Sequence, residues 1–386
     1  MNIILTVAIA VTLLTSVLIV LRWGHTVCEG AMPGSLFTFC AILFTSGLDV
    51  GLIMFPLTEF PVYAEDPVYQ FANPLAIEFG MWGFLVWAFY FLTTFYFCRV
   101  EPRLKLFELA PIKFINNCVI IATCAFTGFL FLSYLPSYVE GISTVAKYLL
   151  VVAVVMSAVL SSMDIRYVKV LSISSTWLFF ALIAGLWWHS DMGAAGLLTS
   201  SSKLGEYFSN IHRFVAPLSD YHAFYLFWWF AWSIMIGQFV SRFLSPMKTR
   251  HLLVTLLVIP SIPIATWFSV LYYYHDQALP ISDTIKLCLI VVGVIFVVNS
   301  LDSLIRLYTT NLDITVERLG RGRYIAANGS LMLGLVLLYQ LTPFEIEWVG
   351  LVVIGLYAVI YTLLFLRRDQ LAEPILDGLQ RAPDSP

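Results

Sequence analysis

Charge is what this sequence has least of. Asp, Glu, Lys and Arg together make up 12% of its 386 residues, about half the roughly 25% usual in a soluble domain. The net charge is only -3 and no basic block stands out, so the electrostatic footprint of a nucleic-acid binder is missing. Six cysteines (Cys28, Cys40, Cys98, Cys118, Cys124 and Cys288) lie in or beside apolar runs without a CxxC pair, which leaves them as small packing residues. The six histidines (His25, His189, His212, His222, His251 and His275) fall in loops or at the ends of apolar runs. A haem-carrying subunit, which needs paired histidines at depth, is thereby excluded. No metal-type ligand set or nucleophile–base pair lies at depth either, so the sequence does not read as an enzyme and implies no cofactor. The first apolar run, Asn2 to Leu21, lacks a basic leader and a cleavage site; it reads as a retained helix rather than a signal peptide.

What the chain has instead is hydrophobic length. Apolar residues make up 60% of it, in runs of about 20 residues that can each cross a bilayer core. The runs cover approximately 2–21, 36–61, 74–98, 115–135, 146–162, 167–188, 221–244, 251–274, 281–309, 324–342 and 346–366. The expectation is an all-α integral membrane protein of about eleven spans. Lysine and arginine set its orientation. Sixteen fall at alternate loops and ends that share a side with the C-terminus, against four (Lys147, Lys203, Arg213 and Lys286) on the other, with Arg306 near a helix end. The N-terminus is therefore expected outside and the C-terminus in the cytoplasm. The stretch 189–220 between spans six and seven carries a polar, amphipathic segment near 202–214 suited to the membrane surface. The tail 367–386, rich in Pro, Asp and Arg, is expected to be disordered.

Four constellations in the spans could carry chemistry. Gly47, Leu48, Asp49, Val50 and Gly51 put an acid between two glycines at mid-span. A carboxylate at the bilayer centre costs roughly 2.5–3.5 kcal/mol and is functional by default, and a glycine-interrupted span marks a transporter site at a broken helix. Trp82, Trp87 and Tyr90 form an aromatic group in the third span, and Trp228, Trp229 and Trp232 another in the seventh. Aromatics usually anchor a span at the interface, which suits Trp187, Trp188 and Trp348. The two inner groups read equally as an aromatic cage for an ammonium cation, worth about 2 kcal/mol or more per desolvated contact. Asn299, Ser300, Asp302 and Ser303 supply oxygens that either bind a hard cation such as Na⁺ or join helices by hydrogen bonds.

At these residues the chain resembles the betaine/choline/carnitine transporter family. The stretch from Phe224 through Trp228, Trp229 and Trp232 to Gly237, Phe239 and Arg242 is similar to the family's FYWxWWxxWxPFxGxFxARxSxGR signature. Trp82, Gly83, Trp87, Ala88 and Tyr90 match WGxxxWAxY; Gly47 to Gly51 resembles GxGxG; Thr58 and Glu59 resemble TEP. Gly205 to Tyr207 is similar to the start of the connecting helix, and Asn299 to Ser303 to TSxDS. The resemblance spans about residues 20–366. It implies a LeuT-like core of two inverted five-helix repeats, 36–188 and 221–366, preceded by one extra helix (1–22) that corresponds to the family's second. The broken helices would be those of Gly47–Gly51 and Trp228–Trp232. By the same resemblance Trp82, Trp87, Tyr90 and Trp229 cage a trimethylammonium group, with Trp228 and Trp232 on the path and Met235 and Phe239 beyond. Na⁺ or H⁺ would be the coupling ion, with Leu48, Asp49, Asn299 and Ser300 at the ion site, and a homotrimer is implied.

Three departures from the family pattern carry information. The middle glycine of GxGxG is Asp49, a carboxylate that favours a net cation such as choline over betaine, or carries a proton. The threonine of TSxDS is Asn299, and the proline after WWxxW is Ile234, which weakens the expected second break. The expectation is import of an osmoprotectant quaternary-ammonium solute across a bacterial-type inner membrane by alternating access, choline ahead of glycine betaine. The competing reading is a membrane receptor or regulatory subunit that binds such a solute without moving it.

Overall fold

The computed structural model describes residues 1–47 and 50–370. In chain order the elements begin with α1 (Asn2–Trp23), the two-residue strand β1 (Val27–Cys28), α2 (Leu36–Gly47), α3 (Val50–Met54) and α4 (Pro56–Glu65). They continue with α5 (Pro74–Trp82), α6 (Leu85–Phe95), α7 (Glu101–Leu104), α8 (Ala110–Tyr138), α9 (Thr144–Ser161) and α10 (Arg166–His189). Short α11 (Gly193–Ser202) and α12 (Gly205–Asn210) lead to α13 (Asp220–Val240). The chain closes with β2 (Met247–Lys248), α14 (Thr249–Val258), α15 (Ser261–Asp276), α16 (Asp283–Asn311), α17 (Val316–Leu319), α18 (Arg321–Leu341) and α19 (Ile346–Leu366). Among the described residues ten helical stretches are long and apolar enough to cross a membrane, with Leu36–Gly47 a shorter apolar helix. The protein is an all-α integral membrane protein, and the helical stretches follow the expected spans closely. Asp49, Leu48 and the tail beyond residue 370 lie outside the described residues.

Helix starts follow local chemistry. Asn73, Ser143, Ser219 and Ser282 each accept a backbone N–H from the first turn of α5, α9, α13 and α16, satisfying donors that a helix start leaves unpaired. Burial then sorts the helices. In α1 the buried residues Leu5, Ile9, Thr12, Ser16 and Ile19 form one stripe, the pattern of a helix with a single protein-facing side. Only 28% of its apolar stretch is buried, against 94% for Pro74–Leu104 and 89% for Asp220–Phe243. The two spans carrying the aromatic groups are thus the innermost, which argues against interfacial anchoring for them. Trp188, by contrast, is 89% exposed and Trp348 is 53% exposed, as anchors should be.

Two glycines let α13 sit at the centre. A methyl group at Gly237 would overlap Thr93 of α6, and one at Gly350 of α19 would overlap the Phe227 carbonyl of α13. Two close helix–helix approaches therefore hold α13 between α6 and α19. One edge of the bundle is pinned by β1 against β2, with Val27 opposite Lys248 and Cys28 opposite Met247.

The helix interruptions matter most. Pro56 has no N–H, so the Leu52 carbonyl loses its helical partner; the Trp267 indole donates to it at 2.8 Å. The Tyr138 hydroxyl donates to the Met54 carbonyl at 2.5 Å. Near the end of α2, the Thr45 carbonyl accepts the Asn299 amide at 3.1 Å and the Ser300 hydroxyl at 3.5 Å. In hydrocarbon an unpaired carbonyl costs several kcal/mol. Distant helices therefore supply the donors. Trp267→Phe, which keeps an aromatic ring and removes the N–H, is expected to cost about 1–3 kcal/mol, read as a lowered Tm in detergent. Trp188→Phe should leave Tm unchanged.

Candidate functional site

The third span is not one helix. α5 ends at Trp82, Phe84 takes a left-handed φ of 47°, and α6 starts at Leu85. Such a conformation costs a non-glycine residue of order 1–3 kcal/mol and persists only where surroundings impose it. Here they do. The Trp229 indole donates to the Met81 carbonyl at 2.9 Å, and the Phe84 N–H donates to the Ser261 hydroxyl at 3.0 Å. A continuous helix would have used Leu85 N–H for Met81. The apolar pattern treats 74–98 as one span, and the family resemblance implies a break at Trp228–Trp232. The structure has the reverse: α13 runs uninterrupted from Asp220 to Val240. Ile234, standing where the family motif has proline, keeps its backbone N–H available to the helix, which is the physical reason.

The α5–α6 break and the centre of α13 enclose a small pocket. Its walls are Gly47, Met81, Trp82, Val86, Tyr90, Tyr225, Trp228, Trp229 and Trp232. Its volume is about 20 Å³, room for little more than one water, because the rings close on one another. Trp82 meets Trp228 edge-on with centroids 5.2 Å apart and Tyr225 at 5.6 Å; Phe55 packs on Trp82 at 5.9 Å. The Tyr90 hydroxyl faces the Gly47 carbonyl at 3.5 Å.

Of the aromatic residues proposed from sequence, Trp82, Tyr90, Trp228, Trp229 and Trp232 line this pocket. Trp87 does not. It lies fully buried behind Tyr90, edge-on at 5.3 Å, against Gly47. Met235 and Phe239 are buried farther along α13 and outside the pocket walls. Tyr225 was missed as a lining residue, although the signal was present. Residues 225, 228, 229 and 232 follow the i, i+3, i+4, i+7 spacing of one helical face. None of the protein's own cations stacks on the pocket rings among the described residues; the cation–π contacts involve Trp23, Tyr148, Tyr272, Phe71 and Phe365. Trp82 and Trp232 also keep buried indole N–H groups without a hydrogen-bond partner.

The polar cluster of α16 faces α2, α9 and α10. Asn299 gives its nitrogen to Thr45 and accepts from Ser172 at 3.4 Å. Ser303 and Ser46 share a hydrogen bond of 3.0 Å. Asp302 accepts from Ser161 at 2.9 Å and pairs with Arg306 at 2.9 Å. These groups hold one another, so as arranged they act as interhelical ties. Among the described residues no group of three His, Cys, Asp or Glu side chains converges as a metal site.

A second polar centre borders the pocket. Glu59 accepts hydrogen bonds from Tyr63 at 2.8 Å, from Tyr225 at 3.0 Å to each oxygen, and from Tyr221. Glu78 of α5 is buried beside Glu59, within reach of it.

No protein-family model matches the chain. The glycine betaine transporter OpuD of Bacillus subtilis (strain 168) is similar, at 24% identity over 280 residues, covering 61% of this chain and 54% of OpuD. The chain thus matches about half the length of that relative. Among solved structures, a Na⁺-coupled sialic acid symporter in a substrate-bound outward-open state overlays with a TM-score of 0.46 and 13% identity, over 94% of this chain and 83% of the other.

The Trp229 indole is the tie to test in the pocket wall. Trp229→Phe should speed backbone hydrogen exchange around residues 81–87 and cost about 1–2 kcal/mol of stability. Unchanged protection would mean that the break is held by other contacts.

Proposed function

We propose that this protein is a secondary transporter that imports a quaternary-ammonium solute by alternating access. One observation carries the reading: four tryptophans and two tyrosines converge in the most buried part of the bundle, where each desolvated ring face offers a methylated cation about 2 kcal/mol or more. An ordinary packed core fills such a position mostly with aliphatic side chains, whereas here only Val86 and Met81 of the nine wall residues are of that kind. The similarity to a glycine betaine transporter supports the same solute class. The unpaired indole N–H of Trp232 suits the oxygen that both choline and betaine carry. Choline is favoured by Asp49, whose carboxylate would attract a net cation and repel a betaine carboxylate.

Transport requires the pocket to open, since about 20 Å³ excludes a trimethylammonium group. The α5–α6 break, held by two side-chain hydrogen bonds, is a natural hinge, as is the α3–α4 junction ahead of Pro56. The repeats would be 36–188 and 221–366, and the surplus of Lys and Arg would place the N-terminus outside and the C-terminus in the cytoplasm of a bacterial-type inner membrane. The protein would assemble as a homotrimer in the bilayer. Coupling would use Na⁺, with Asn299, Ser300, Leu48 and Asp49 turning oxygens to the ion, or a proton. The unbroken α13 favours a second reading, a receptor or regulatory subunit that binds the solute without moving it.

Uptake of labelled choline and betaine into proteoliposomes, with Na⁺ and pH gradients imposed separately, tests the proposal. Saturable uptake is expected, and Trp228→Ala should weaken solute affinity about 30-fold, the equivalent of one desolvated cation–π contact. Trp188→Ala should change nothing. Binding reported by tryptophan fluorescence without counterflow would give the receptor reading the lead.

A further inference from the structure

Glu59 and Glu78 are an unusual pair for a membrane interior. Glu59 is 3% exposed and Glu78 fully buried, and their carboxyl groups lie within hydrogen-bonding reach of each other. Their surroundings are unequal. Glu59 takes O–H donors from three tyrosines on two helices. Neither oxygen of Glu78 accepts a hydrogen bond. The Trp82 indole N–H, itself buried and without a partner, is turned toward Glu78 from the pocket wall.

The titratable groups around the pair, besides the three donor tyrosines, are Tyr69, which packs on Tyr63, and Tyr134 and Tyr138 of α8; one ring farther out lie Tyr207 on Phe79 and Tyr272 and His275 on Phe60. Among the described residues no salt bridge reaches either carboxyl; Lys203 pairs with Asp276 and Arg213 stacks over Phe71. Two adjacent carboxylates without a cation cannot both stay ionised in a low-dielectric interior. One proton between them resolves the conflict. Glu59, with three hydroxyl donors, suits the ionised role, and Glu78 then has an O–H to give to Glu59.

We propose that Glu59 and Glu78 hold one exchangeable proton and that this proton is the coupling ion of solute uptake. The proposal rests on the transport reading above. The pair sits at the α4, α5 and α13 ends that the positive-inside orientation places outermost, so it would load from the external side. Tyr225 joins it to the solute site, because its ring lines the aromatic pocket while its hydroxyl donates to Glu59. Movement of Tyr225 or Trp82 as the pocket opens would alter the donors to the pair. Loading breaks an O–H bond of external hydronium as the carboxyl O–H forms; release breaks that carboxyl O–H and returns the proton to water inside, with no change of oxidation state.

Infrared spectroscopy of the purified full-length protein tests the pair without any solute. At neutral pH the wild type should show the carbonyl stretch of a protonated carboxylic acid that Glu78→Gln removes. A wild-type spectrum with no such band, or a band untouched by both E78Q and E59Q, would overturn the proposal. In proteoliposomes, an inward pH gradient should drive solute accumulation several-fold above equilibrium in the wild type. In E78Q that accumulation should fall to equilibrium while exchange of labelled for unlabelled solute continues. Full pH-driven accumulation in E78Q would sink the coupling role. The infrared result stands even if neither choline nor betaine is moved, so failure of the proton site and failure of the solute reading are separable.

Discussion

The structure depends on one constraint: in a bilayer every backbone carbonyl released by a helix interruption must find a donor inside the protein. The interruptions at Phe55–Pro56 and at 83–84 release carbonyls at Leu52, Met54 and Met81, and Thr45 accepts from outside its own helix as well. The donors come from Trp267, Tyr138, Trp229, and Asn299 with Ser300. Each tie spans a long sequence separation and fixes one helix against another. The same groups that make irregular backbone tolerable thereby set the position of the pocket walls.

Trp229 shows how closely support and site are combined. Its N–H holds the α5–α6 break and its ring lines the pocket. Ser261 holds the other side of the same break while donating to the Leu257 carbonyl of α14. A hinge fastened by two hydrogen bonds, each with a net worth of about 1 kcal/mol, is cheap to release and still specific in register. That balance suits a segment whose two sides must move relative to each other.

The aromatic pocket and the carboxyl pair are neighbours through shared side chains. Tyr225 and Trp82 each touch both, so a change in ring packing and a change in the surroundings of Glu59 and Glu78 cannot be independent. Coupling between two sites needs an element with two arrangements that both sites bias. The short α5, capped by Asn73 at one end and broken after Trp82 at the other, is placed to be that element.

The sequence by itself determined the membrane class, the span boundaries and which spans carry aromatic groups, because length and apolarity of about 20 residues are local properties read directly against bilayer thickness. It also made Tyr225 legible through its spacing with Trp228, Trp229 and Trp232. Only the tertiary structure decided where the third span breaks. Gly83 alone permits a turn; the strain at Phe84 is imposed by Trp229 and Ser261, which lie some 145 and 177 residues away. It likewise decided that α13 stays whole, that Trp87 stands behind Tyr90 rather than in the pocket, and that Glu59 meets Glu78. Those outcomes depend on which helices pack together, and no spacing within a single helix encodes them.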